Sequence, residues 1–214
     1  MAGMTITAHA GCLGTPEDSL ESVIAGIRAG ADICEVDVSL DANSIPVLKH
    51  DGVLPGETGL VPLRDVLEFI QDSDIQLNLD IKTAAAVLPA ERLAIEAGLL
   101  HRVFFTGLFE DDVRQAAESG SVLPRYFNFN IAPDIDDEAL EWALRYALRH
   151  GCAGINSNHA GVTLRAVDMV HGAGLLLSAW TADEPRDMAR LLTMGVDNIT
   201  TRRPDLLKQL LSQA

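Results

Sequence analysis

Glu35 and Asp37 stand two residues apart in the run ICEVDVS (33–39). In a strand both carboxylates face one way, while Cys34, Val36 and Val38 face the other. Two acids in so apolar a run, the kind expected of a strand buried on both faces, are costly unless a cation meets them. Asp80 and Lys82 repeat the two-residue spacing at the end of IQLNLDI (75–81); His9 ends TITAH (5–9), and His50, followed by Asp51, closes PVLKH. Glu35, Asp37 and Asp80 can converge from neighbouring strands as an all-oxygen donor set, which suits Mg²⁺ or Ca²⁺ better than a thiolate-bound metal. Two histidines near a hard cation point to acid-base chemistry on an anionic substrate. Each residue also has a purely structural reading. A strand-end histidine is commonly just hydrogen-bonded, Asp80 and Lys82 could be a simple ion pair, and Trp180 could belong to the core.

The elements that would hold these residues follow from two alternating hydrophobic periods. Short β-rich runs occur at 5–9, 33–39, 75–81, 102–106, 122–127, 152–156, 175–180 and 196–200. Between them lie amphipathic stretches. Leu20, Val23, Ile24 and Ile27 form a helical stripe, as do Leu63, Val66, Leu67 and Ile70, and further helical patterns cover 89–97, 109–119, 136–149, 162–171, 184–194 and 204–212. Asp18 with Glu21 offers a capping box for the first helix, and Gly30 a stop. Eight strand-helix units predict a closed (β/α)8 barrel of the TIM type, one domain over 1–214, with its chemistry at the C-terminal ends of the strands. One departure from the alternation is SLDANSIPVLKHD, whose turn residues and second β-like run predict a β-hairpin after the second strand.

Composition bounds the partners. A chain of 214 residues with 48% hydrophobic content can bury one substantial core. Its net charge of -15 argues against nucleic acid and anionic membranes, leaving a small molecule as the expected partner. Cys12, Cys34 and Cys152 are odd in number and scattered, as in a reducing compartment. MAGMTITAH lacks a signal-peptide pattern and no apolar run is long enough to span a membrane, so a cytoplasmic protein without stable membrane insertion is expected.

In order along the chain, HAG, PEDS, EVDVSLDANSIPVLKHD, LDIK, AWTAD and GVDNITTRRPDLL resemble the glycerophosphodiester phosphodiesterases. The resemblance implies a (β/α)8 barrel that hydrolyses glycerophosphodiesters to an alcohol and glycerol phosphate with two histidines and a divalent cation. It implies His9 and His50 as the catalytic pair and Glu35, Asp37 and Asp80 as metal ligands. Lys82 would sit near the substrate phosphate and Trp180 would wall the pocket. Glu17 is expected as a supporting substrate contact, with charging of the first helix N-terminus as its structural role. The nucleophile would be water or a neighbouring glycerol hydroxyl, the latter making the protein a lyase that leaves a cyclic phosphate.

This chain departs from the resemblance at four places. The family's His-Arg-Gly reads His9-Ala10-Gly11, which removes a guanidinium suited to phosphate. Asp80 stands where the family has glutamate. HDGVLPGETGLVPLRDVL runs almost directly into the second helix, with no inserted subdomain. The family's Thr-Asp-Arg-Pro reads Thr201-Arg202-Arg203-Pro204 and its Pro-Glu-Asn reads Pro16-Glu17-Asp18. Lys49 and Arg125 are further cations that could serve in place of the lost arginine. Ala10 therefore raises a competing expectation, a weak or inactive barrel that binds a phosphorylated or polyol ligand.

Overall fold

The computed structural model describes residues 3–213; Met1 and Ala2, which begin the MAGMTITAH stretch, and Ala214 lie outside the described residues. Strands and helices alternate from the start. The order is β1 (Thr5–Ala8), α1 (Leu20–Arg28), β2 (Ile33–Leu40), β3 (Pro46–Leu48), α2 (Leu63–Ile70), β4 (Gln76–Ile81), α3 (Val87–Glu96), β5 (Val103–Thr106) and α4 (Glu110–Glu118). The second half runs β6 (Tyr126–Asn128), α5 (Asp137–Arg149), β7 (Gly154–Asn158), α6 (Leu164–Gly172), β8 (Leu176–Trp180), α7 (Pro185–Met194), β9 (Asn198–Thr201) and α8 (Pro204–Leu211).

Eight parallel strands form one curved sheet in the order β5-β4-β2-β1-β9-β8-β7-β6, with β3 added antiparallel to β2. The two ends of that order meet through a parallel bridge between Phe105 and Arg125, with the Phe105 N–H donating to Pro124 O at 2.9 Å. The result is a nearly closed (β/α)8 barrel, as the eight-unit count predicts. The main apolar core lies between strands and helices, where Val36, Leu79, Phe105, Ile155 and Ile199 pack against the helical stripes. Inside the barrel the opposite strand face is largely polar. Asn78, Thr106, Asn128, Asn156, Asn198 and Thr200 are buried there and satisfy one another in part, as Thr106 Oγ1 with Asn78 Oδ1 at 2.8 Å and Asn156 Nδ2 with Asn128 Oδ1 at 3.1 Å.

Two local expectations are corrected. Ser19 rather than Asp18 caps α1, accepting from the Ser22 N–H, because Asp18 accepts the His50 N–H at 3.1 Å and so anchors the hairpin end. The strand expected at 122–127 begins only at Tyr126: Pro124 has no N–H to give, and Arg125 forms an isolated bridge to Phe105. The hairpin itself is as expected. Asp41 Oδ1 accepts from the Asn43 and Ile45 N–H groups at 2.8 Å each, which folds the turn and returns the chain along β2 toward His50.

Candidate active site

β2 and β4 pair in register with Asp37 opposite Asp80, so the alternation that aims Glu35 and Asp37 inward brings all three carboxylates together. One oxygen from each of Glu35, Asp37 and Asp80 lies within 4.8 Å of the others. They line a cavity of about 300 Å³ at the C-terminal ends of the strands, together with His9, His50, Lys82 and Trp180. Seven of the eight residues singled out from sequence therefore meet in one place. Glu17 does not line the cavity; its side chain lies outside, 3.5 Å from the Arg202 guanidinium.

Lys82 Nζ bridges two of the acids, 2.6 Å from Asp37 Oδ1 and 2.5 Å from Asp80 Oδ2. Burial works against its charge, but the Asp80 and Asp37 carboxylates outweigh that and raise its pKa. Glu35 is fully enclosed. Its Oε2 accepts the Ala10 N–H at 2.8 Å, yet burial, then the charges of Asp37 and Asp80, hold its carboxyl well above the ordinary range. Thr106 Oγ1 lies 2.8 Å from Asp80 Oδ1.

With all three carboxyls ionised, one ammonium leaves the cluster two positive charges short, the charge that a divalent cation carries. Asp37 Oδ2 is buried with no hydrogen-bond partner among the described residues. An orphaned carboxylate oxygen in an all-oxygen cluster fits Mg²⁺ or Ca²⁺, because such an atom is expensive to bury unless something meets it.

The histidines flank the acids in different surroundings. His9 is 18% exposed, with Nδ1 3.7 Å from Glu35 Oε2 and 2.8 Å from Ala10 O. A carbonyl only accepts, so Nδ1 carries the proton and Nε2 presents a lone pair. Burial foremost, and more weakly the Arg202 charge, lower the His9 pKa from its usual value. His50 is 53% exposed at the cavity mouth, its Nδ1 held by Asp51 Oδ1 at 2.6 Å. That contact likewise leaves Nε2 outward. Trp180 walls the cavity with a buried Nε1 that has no hydrogen-bond partner among the described residues.

Ala10 is 1% exposed and offers the site only its backbone. The two cations considered as replacements are committed elsewhere. Lys49 Nζ pairs with Glu57 at 3.1 Å, and Arg125 donates to the carbonyls of His150 and Ser121. Sequence reasoning passed over Asn78, Thr106, Phe109 and Asp112, which also line the cavity. Asn78 was within reach of it, standing two before Asp80 on the same strand face.

Comparison with known proteins gives the family and the fold. The model of the glycerophosphoryl diester phosphodiesterase family matches residues 57–206, which take in Asp80, Lys82 and Trp180. A Mycobacterium tuberculosis relative named probable glycerophosphodiester phosphodiesterase 2 is 27% identical over 231 aligned positions, covering 92% of this chain and 85% of its own. Two solved structures share the fold. A glycerophosphodiester phosphodiesterase from Parabacteroides distasonis superposes with a TM-score of 0.81 at 19% identity, covering 99% of this chain and 98% of its own. An Oleispira antarctica phosphodiesterase, solved with the product sn-glycerol-3-phosphate, superposes with a TM-score of 0.79 at 19% identity, covering 97% and 96%.

Proposed function

The chain belongs to the glycerophosphoryl diester phosphodiesterase family, a family of enzymes, and we propose that it hydrolyses glycerophosphodiesters to an alcohol and glycerol phosphate in a divalent-cation-dependent reaction. The observation that carries this reading is the meeting of Glu35, Asp37 and Asp80, within 4.8 Å of one another, with His9, His50 and Lys82 around a single cavity. The product bound to the Oleispira antarctica phosphodiesterase supports a small phosphorylated polyol as the occupant.

Glu35, Asp37 and Asp80 would hold the cation, Mg²⁺ or Ca²⁺. When bound, such a cation neutralises charge that builds on the phosphoryl oxygens. His9, with its Nδ1 proton held by Ala10 O, takes the proton of the attacking hydroxyl or water at Nε2. A new P–O bond forms as the bond to the leaving alcohol breaks. His50, at the open mouth where the alcohol departs, gives a proton from Nε2 to that oxygen, its ring fixed by Asp51. Lys82 places positive charge beside the phosphoryl group, and Trp180 walls the pocket with an Nε1–H that has no partner among the described residues.

Residues 1–214 act as one barrel domain in this reading, and no helix among the described residues is long and apolar enough to cross a membrane. The three cysteines are free and buried, which supports a cytoplasmic setting. Ala10 favours a second reading, a barrel that binds a phosphorylated or polyol ligand with little turnover, because position 10 offers no guanidinium. One experiment separates the two. Turnover of a glycerophosphodiester panel is followed before and after chelation, with Mg²⁺ or Ca²⁺ then returned and products identified. Loss and recovery of activity support the hydrolase, a cyclic phosphate product identifies a lyase, and cation binding without turnover leaves the ligand-binding barrel.

A further inference from the structure

The end of β1 and the end of β9 abut. Ala8 pairs with Thr201, the His9 N–H donates to Thr201 O at 2.9 Å, and the Leu13 N–H donates to Arg202 O at 2.9 Å. Position 202 is therefore fixed against the loop that carries His9 and Ala10. It follows the end of β9 directly, two residues beyond Thr200, which lines the cavity, and its own side chain lies outside that lining. The two places where this chain departs from His-Arg-Gly and Thr-Asp-Arg-Pro are thus neighbours: a guanidinium is missing from one and present at the other.

The Arg202 side chain is 40% exposed, and among the described residues its guanidinium makes no hydrogen bond. It is held loosely between two carboxylates, 3.5 Å from Glu17 Oε1 and 3.6 Å from Asp183 Oδ2. Both exceed the roughly 2.7–2.9 Å of a charge-assisted bond, and half-exposed pairs of this kind are weak. Other cations of the chain are more tightly engaged: Lys82 with Asp37 and Asp80, Lys49 with Glu57, and Arg203 with Asp205 at 3.0 and 2.8 Å.

We propose that Arg202 is the substrate's phosphate-binding guanidinium in this chain, turning from Glu17 and Asp183 onto a phosphoryl oxygen beside His9. This rests on the phosphodiesterase reading and adds to it a residue supplied by a different strand. The planar fork suits phosphate, and the two carboxylates keep it at the rim until an anion with better geometry arrives. Glu17 then acts through Arg202 as a positioning residue, which accounts for its place outside the cavity.

The test is calorimetric titration of sn-glycerol-3-phosphate, and separately inorganic phosphate, into the Mg²⁺- or Ca²⁺-loaded protein. Wild type is compared with Arg202→Ala, Arg202→Lys, Glu17→Gln and Glu35→Gln, and the KM of the diester is followed in parallel. Arg202→Ala is expected to weaken binding roughly 10- to 100-fold and to raise KM, as for loss of hydrogen bonds to a charged group. Arg202→Lys should fall between, and Glu17→Gln should tighten binding severalfold by releasing the guanidinium. The last result distinguishes phosphate binding from a loop anchor, which Glu17→Gln would loosen; weaker binding in Glu17→Gln therefore overturns the proposal. Binding by Arg202→Ala within twofold of wild type, while Glu35→Gln loses it, overturns the role of Arg202 and leaves the phosphodiesterase reading intact. A wild type that binds neither anion with cation present overturns both.

Discussion

Lys82 Nζ lies 2.6 Å from Asp37 Oδ1, with the aspartate carboxylate almost wholly buried and the lysine about one-fifth exposed. The ammonium thus partly neutralises the acidic cluster before any ligand arrives. Removing one member of such a pair leaves a buried charge uncompensated, at a cost of up to about 3 kcal/mol given the lysine's partial exposure. Lys82→Met is therefore expected to melt below wild type in chelator. Saturating Mg²⁺ or Ca²⁺ should narrow the gap, because a ligand that binds the folded state stabilises it. Thermal unfolding with and without cation reads this directly. An equal deficit in both conditions would show that Lys82 does not share its acids with a cation.

Glu35 gives a pH dependence of known sign. Burial, and then the charges of Asp37 and Asp80, raise the pKa of its carboxyl, so a proton and a bound cation compete for it. Affinity for Mg²⁺ or Ca²⁺ should rise with pH while Glu35 loses that proton, by up to about tenfold per pH unit, and level off above its pKa. Titrations in buffers of different ionisation enthalpy would count the proton released. A pH-independent affinity with no proton release would remove Glu35 from the ligand set.

Gly107 follows β5 with φ +75°, and a Cβ there would come within 2.5 Å of Ile81 O and 2.8 Å of Asp80 Oδ1. Gly107→Ala should destabilise the fold by about 1–3 kcal/mol, from the left-handed backbone and the clash. Because the clash includes a proposed cation ligand, affinity for Mg²⁺ or Ca²⁺ should fall as well. Unfolding and cation titration of the same variant check both. Lost stability with unchanged affinity would mean that Asp80 relaxes without consequence.

Much of this was legible in the sequence because two periods carried it. Alternation in ICEVDVS and IQLNLDI aimed Glu35, Asp37 and Asp80 to one side, and pairing of β2 with β4 made them converge. The stripe at Leu63, Val66, Leu67 and Ile70 gave α2 its buried face. Long-range partners were not legible. Asp18 reads locally as a helix cap, but its oxygen is claimed by the His50 backbone 32 residues away, so Ser19 caps instead. Lys82 reads as an ion-pair partner of Asp80 or a phosphate contact; that Asp37 on another strand also holds it was not legible. Arg202 gained meaning only once β9 lay beside β1.

The central claim is that His9 and His50 move protons beside a cation held by Glu35, Asp37 and Asp80. The most direct test is the turnover rate of a glycerophosphodiester at saturating Mg²⁺ or Ca²⁺ for wild type, His9→Ala and His50→Ala. Positioned acid-base groups each contribute about 10² to 10⁴ in rate, so each variant should lose activity on that scale while keeping the wild-type cation affinity. Turnover in His9→Ala equal to that of wild type would contradict the account.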